Sequence, residues 1–184
     1  MTFARIALLF LTIVLTSSAA FAGTVDYKKS RIGFTFRQMN VPVEGGFPQF
    51  TANIVFDSGK PDAGKAEIEV DLGSIDTGST DGDTEVKRKP WFNVESFPKA
   101  TFVSTSVKPL GPDRLQVSGT LTIKGRSREL TVPVTTKREA GGTVFEGTFP
   151  LLRLQYAIGE GPWSDTETVA DDVQVRFRIF VAGT

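Results

Sequence analysis

Residues 65 to 72, KAEIEVDL, place Ala66, Ile68, Val70 and Leu72 on one side of an extended chain and Lys65, Glu67, Glu69 and Asp71 on the other. Successive strand side chains point to opposite faces. Such a segment therefore needs a core on one side and water on the other. The same period-two pattern recurs along the chain, separated by Gly, Pro, Asp and Asn clusters with the chemistry of turns. It predicts eight strands, at about 25–39, 43–57, 65–72, 100–108, 114–124, 128–136, 143–158 and 169–182. One polar and one apolar face per strand, with hairpin-length connections, predicts an antiparallel sheet; the strands of a parallel sheet would be apolar throughout. Several strands are long enough to tilt around an axis, and closure removes exposed edges. The expected fold is all-β: an eight-stranded antiparallel up-and-down β-barrel.

Two absences narrow the chemistry. Among 184 residues there is no histidine and no cysteine. Ser/His/Asp and Cys/His triads are excluded, as are most zinc, copper and haem ligand sets. Any catalysis would rest on carboxylates, lysine or tyrosine. A carboxylate-based hydrolase stays open as an alternative, with Asp76, Asp81, Asp83, Glu85 and Glu160 in the irregular segments where a glycoside-cleaving pair would sit. Stability has to come from the core without disulfides.

The first 22 residues have the pattern of a secretory leader: Arg5, the apolar run IALLFLTIVL and the small-x-small signal Ala20-Phe21-Ala22. The expectation is a periplasmic domain spanning 23–184. Without Arg5, 20 Lys and Arg face 21 Asp and Glu, a net charge of −1 with both signs interspersed. That argues against a nucleic-acid partner. The chain ends in VAGT and has two Trp and two Tyr. A membrane-spanning barrel would instead need aromatic girdles at both interfaces.

The longest break in the alternation contains DGDTEVKRKPWF, 81 to 92. Its acids imitate a calcium loop, but Val86 stands where glycine is required and Phe92 where a bidentate Glu belongs. The stretch reads instead as a short helix in the 79–92 connection, capped by Thr80 or Asp81, with Lys87, Arg88 and Lys89 in its last turn and Pro90 as the stop. Val86, Trp91 and Phe92 are left to fold against one barrel end as a lid or entrance, with Trp163 from GEGPWSD. Inside the barrel, eight phenylalanines lie on or near the apolar phase. Alternation alone fits a packed core and a ligand-holding lumen equally well.

Particular segments carry a resemblance. VEGGFPQF (43–50), SIDTG (74–78), Asp83 followed by Trp91 and Phe92, FPKATFVST (97–105), VSGTLTIKG (117–125) and RLQYAIGEGPW (153–163) occur in the order found in the YceI-like, or polyisoprenoid-binding, family of exported bacterial proteins. The chain resembles that family from about 25 to 182. The resemblance implies a lipocalin-like barrel whose apolar pore holds a long isoprenoid lipid, a polyprenyl phosphate or a quinone tail, with no protein-bound cofactor or metal and a tendency to form homodimers. A histidine common in the family near the end of the first strand is absent here, where Gln38-Met39 stands, so no role of that imidazole carries over. The lining is expected to comprise Phe34, Phe36, Phe50, Ile54, Phe56, Ile68, Phe102, Leu121, Phe145, Phe149 and Phe177, and a head group is expected near Arg153, with Lys124 second. An interaction barrel with a packed interior is the remaining alternative.

Overall fold

The computed structural model describes residues 22–183; residues 1–21 of the expected leader lie outside them. Ten strands form one antiparallel sheet: β1 (Ala22–Val25), β2 (Arg31–Gln38), β3 (Val41–Gly46), β4 (Phe50–Val55), β5 (Lys65–Asp71), β6 (Lys99–Gly111), β7 (Arg114–Ile123), β8 (Arg126–Glu139), β9 (Gly142–Leu152) and β10 (Asp172–Ala182). They are the eight expected strands, with the first two each broken once. From β4 to β10 successive strands pair with one another. The interrupted first strand closes the ring: β1 pairs with β4 and β10, and β2 with β3 and β10.

The breaks have local causes. Asp26 Oδ1 accepts the Lys28 N–H at 3.0 Å, and its carbonyl accepts the Lys29 N–H and the Ser30 hydroxyl, turning the chain between β1 and β2. Pro48, which has no N–H, stands between β3 and β4. The seventh strand ends earlier than its expected 158: after Leu152 the chain enters a 3-10 turn, Arg153–Tyr156, closed by Ala157 at φ 56°. Strand β10 starts at Asp172; Val169 makes only an isolated bridge to Gln38.

One barrel end, here called upper, carries the β5–β6 connection (72–98) and the β9–β10 connection (153–171). The lower end carries the β4–β5 connection (56–64) and the tips of the β6–β7 and β8–β9 hairpins. Two apolar clusters occupy the interior. The lower is built on Ile54, Val134, Phe145 and Ile179, and the upper on Leu72, Trp91, Leu121 and Tyr156.

The upper connection contains helix α1 (Thr80–Val86), within the expected segment but capped differently. Ser79 has extended backbone, and its Oγ accepts the Gly82 N–H at 3.0 Å; Thr80 and Asp81 are already helical and cannot cap. The last turn contains no base, since Lys87 is the C-cap residue and Arg88 and Lys89 lie in the following turn. The Asp83 carboxylate folds back to accept the Thr77 N–H at 2.6 Å and its hydroxyl at 2.7 Å. These bonds, with Lys87 nearby, hold its pKa below the ordinary value. A depressed carboxyl pKa contributes stability that is complete above the ordinary value and disappears as pH falls through the lowered one. Asp83→Asn should therefore lower the melting temperature at neutral pH, and the gap to wild type should close in melts taken progressively below the usual carboxylate range.

Candidate functional site

The interior between the two clusters is not filled. It holds a cavity of about 260 Å³ with a wholly apolar wall, partly open to the surface. Its bore follows from glycines opposite aromatics. Phe34 pairs across strands with Gly45, and Phe177 with Gly147. A Cβ on Gly45 would collide with the Phe34 ring, and one on Gly147 would stand 2.6 Å from Phe177 Cζ. The rings therefore lie over bare backbone, along the wall, rather than projecting across the lumen.

Ten of the eleven expected lining residues border this cavity: Phe34, Phe36, Ile54, Phe56, Ile68, Phe102, Leu121, Phe145, Phe149 and Phe177. Phe50 does not. It follows the break at 47–49 and packs edge-on against Tyr27 from the β1–β2 turn, with ring centroids 5.5 Å apart. Sequence reasoning left out Ile32, Phe47, Val132, Val175 and Ile179 as lining. The same alternation marks most of them, but without a closed ring nothing separates core from lumen.

Trp91 and Phe92 border the cavity at the upper end. Trp163 stacks behind Trp91, with centroids 5.3 Å apart, and Phe92 meets Phe47 edge-on. The aromatics expected at one barrel end thus come together there from both long connections. Trp91 is 7 % exposed, and its Nε1 is the one buried side-chain nitrogen or oxygen without a hydrogen-bond partner among the described residues.

Arg153 does not occupy the place expected of a head-group ligand. It is 2 % exposed, and each of its five N–H groups is given to a main-chain carbonyl. Nε donates to Ala170 at 3.0 Å, Nη1 to Ile158 and Gly159 at 2.8 and 3.2 Å, and Nη2 to Trp163 and Val169 at 2.8 and 2.6 Å. Burial lowers the guanidinium pKa from its ordinary value, and Asp171 opposes the shift. The cation also lies 5.5 Å from the Trp91 ring. With no donor left, Arg153 ties the 153–171 connection into a cap and presses it on the lid. The sequence hid this because residue 153 falls in strand phase, where an arginine normally faces water.

Lys124 is committed in the same way. Its side chain is 7 % exposed, and Nζ donates to the Ala157 carbonyl at 2.7 Å and to Glu160 Oε2 at 2.9 Å. It fastens the β7–β8 turn to the cap, and the contact holds the Glu160 carboxyl below its ordinary pKa. Three of the other carboxylates considered for hydrolysis also have partners: Asp83 is bound to Thr77, Glu85 pairs with Arg88 at 2.9 Å, and Asp76 accepts the Gly78 N–H, while Asp81 is exposed in the first turn of α1.

The description of the YceI-like domain matches residues 24–181, nearly all of the described chain. The chain belongs to the YceI-like domain family. Among curated relatives, a UPF0312 protein of Pseudomonas savastanoi pv. phaseolicola is 32 % identical over 149 residues, covering 77 % of this chain and 74 % of its own. A UPF0312 protein of Pseudomonas putida strain W619 is 30 % identical over 157 residues, 82 % of this chain and 78 % of its own. Among solved structures, Burkholderia cenocepacia BcnA superposes with a TM-score of 0.84 at 39 % identity, over 86 % of this chain and 100 % of that one. A polyisoprenoid binding domain from Saccharophagus degradans, implicated in plant cell wall breakdown, shares the fold with a TM-score of 0.71 at 20 % identity, over 89 % and 99 % of the two chains.

Two substitutions probe this YceI-like lumen and its cap. Gly147→Ala should turn the Phe177 ring into the cavity, costing about 1–3 kcal/mol of stability and lowering uptake of an environment-sensitive apolar dye. Adding Phe177→Ala should restore the uptake. Arg153→Met leaves five carbonyls without donors, three of them in buried bonds, and should destabilise the fold by about 3–5 kcal/mol in urea melts. Arg153→Lys, with three donors, should recover only part of the loss.

Proposed function

We propose that this YceI-like protein is a periplasmic carrier that holds an isoprenoid lipid, a polyprenyl phosphate or the tail of a quinone, by its hydrocarbon chain. The observation that carries the reading is the cavity itself: a bore with a wholly apolar wall, kept free by phenylalanines lying over glycines. Burying apolar area contributes about 25 cal/mol per Å², roughly 0.8 kcal/mol per methylene, so a branched chain filling the bore needs no covalent chemistry to stay bound. The Saccharophagus domain of the same fold, described as polyisoprenoid-binding, supports that class of ligand, and the leader-like segment at 1–22 supports export. A fully packed interaction barrel is disfavoured by the empty bore.

The head group belongs outside the bore, because the wall offers it nothing polar. Among the lining residues Lys65, at the lower rim, is exposed, and no ion pair to it is present among the described residues. It can meet a phosphate as a point charge. Native mass spectrometry of the protein purified from the periplasm should show a co-purifying prenyl lipid. A lipid-free protein that also takes up neither undecaprenol nor undecaprenyl phosphate would sink the reading. Lys65→Gln should weaken the phosphate about tenfold relative to the alcohol if the phosphate is the bound form.

A further inference from the structure

Four strands carry a proline: Pro42 lies in β3, which pairs with β2 alone, and Pro109 beside a register shift at the end of the β6–β7 hairpin, whereas Pro133 and Pro150 stand in strands flanked on both sides, where proline is normally excluded. Pro133 lies in β8 and Pro150 in β9, neighbours joined by the two-residue turn at 140–141. Their ladder runs from Glu139↔Gly142 to Val134↔Gly147 and stops there. On their outer sides both strands continue: β8 pairs with β7 up to Arg126, and β9 with β10 up to Leu152.

Backbone direction explains the stop. Thr136 gives its N–H to Asp113, on the β7 side, at 2.9 Å. Even-numbered residues of β8 therefore face β7 and odd-numbered ones face β9. At the two ends of β9, Arg153 gives its N–H to Asp171 and the Gly141 carbonyl accepts that of Gly183, so odd-numbered residues of this strand face β10 and even-numbered ones face β8. Pro133 and Pro150 thus both fall on the β8–β9 seam. Continued register would place Pro133 opposite Thr148, and Pro150 opposite Thr131. Each of these pairs would lack one of its two N–H donors.

Thr148 still gives its N–H to Pro133 beside the last ladder pair, so the unpaired stretch is 129–132 against 149–152, about 13 Å long at roughly 3.3 Å per residue. It is bounded below by the last ladder pair. Above, Arg128 Nε donates to the Gln155 carbonyl at 3.1 Å, and the Arg128 guanidinium sits over the Tyr156 ring. The inward side chains along it, Leu130, Val132, Phe149 and Leu151, all line the cavity. A slot without backbone hydrogen bonds therefore runs over the lumen on the flank of the barrel. The upper end is closed by the arginine-held cap. The cavity, at about 260 Å³, lies just below the range of about 300–1,000 Å³ usual for ligand sites, too small to enclose a long polyprenyl chain.

We propose that the upper β8–β9 seam is a lateral portal through which an isoprenoid chain enters and leaves the lumen, and through which the part of a long chain that does not fit projects. The assignment rests on the carrier reading given above. Parting this seam breaks no ladder pair, whereas parting any stretch that is paired would break several.

The chain has no cysteine, so an engineered pair is unambiguous. Thr131→Cys/Pro150→Cys would stitch the seam at a directly opposed position, and Thr122→Cys/Ser127→Cys would stitch the outer face of the β7–β8 corner, away from the lumen, where the two hydroxyls stand 2.8 Å apart. Transfer of undecaprenol to phosphatidylcholine vesicles should slow at least tenfold in the oxidised seam variant, recover on reduction, and be unchanged in the oxidised corner variant. Equal transfer with the seam oxidised, or slowing only with the corner oxidised, overturns the portal and leaves the carrier intact; a protein that takes up no undecaprenol overturns both. Wild-type hydrogen exchange tests the slot without any substitution. Thr131 and Leu152 amides, which face the slot, should exchange at least a hundredfold faster than those of Leu130 and Val132, which face β7, and equal protection overturns the slot.

Discussion

One guanidinium organises the upper end of this barrel. The β9–β10 connection has little regular structure, so its carbonyls must find donors outside a ladder. Arg153 meets that need at five points, drawing residues 158, 159, 163, 169 and 170 around a single planar group. The cation is desolvated but surrounded by carbonyl dipoles and an indole face, which is how a buried charge can persist without a carboxylate in contact. Trp91 rests against this hub, α1 hangs from Trp91 through the turns after Val86, and Lys124 pins the neighbouring β7–β8 turn to the same loop. Without the hub, the upper end of the bore would lose its cover.

The wall of the bore follows a different rule. There the sheet closes on itself, and the width of the bore is set by backbone approach and by where rings can lie flat. Phe34 and Phe177 are large enough to fill the space they border, yet the residues beside them are glycines, and the rings settle over those gaps. An apolar interior is generally packed to the density of a molecular crystal. Here the arrangement of large and bare positions across adjacent strands keeps that from happening.

Most of the fold was legible in the sequence because period two is a geometric property of strands that no tertiary contact has to supply. Lys65 to Asp71 needs nothing beyond its own alternation. The failures lie where tertiary context outweighs local pattern. Phe50 is in phase with Ile54 and Phe56, but the break at Pro48 and the intrusion of Tyr27 remove it from the lumen. Arg153 continues the β9 alternation on paper, and only the 3-10 turn that follows Leu152 reveals an inward guanidinium. The composition of 79–92 marks the helix but not its cap, since Ser79, Thr80 and Asp81 are all good capping types and only backbone dihedrals decide for Ser79. The lid aromatics were legible as apolar residues stranded in a charged stretch. The seam was written in Pro133 and Pro150, but its meaning requires knowing which way each backbone group points.

The partners of Arg153 are all main-chain oxygens. A main-chain oxygen is present whatever side chain its residue carries, so the hub demands one particular residue at position 153 and a chain path around it. Ile158 and Val169 are held by their buried side chains as well, but the exposed residues between them, Ser164 to Glu167, are free, as far as this network is concerned, to change identity. The cap is in this sense a frame whose outer face can be rewritten, residue by residue, to suit new surroundings while the vessel beneath keeps its shape.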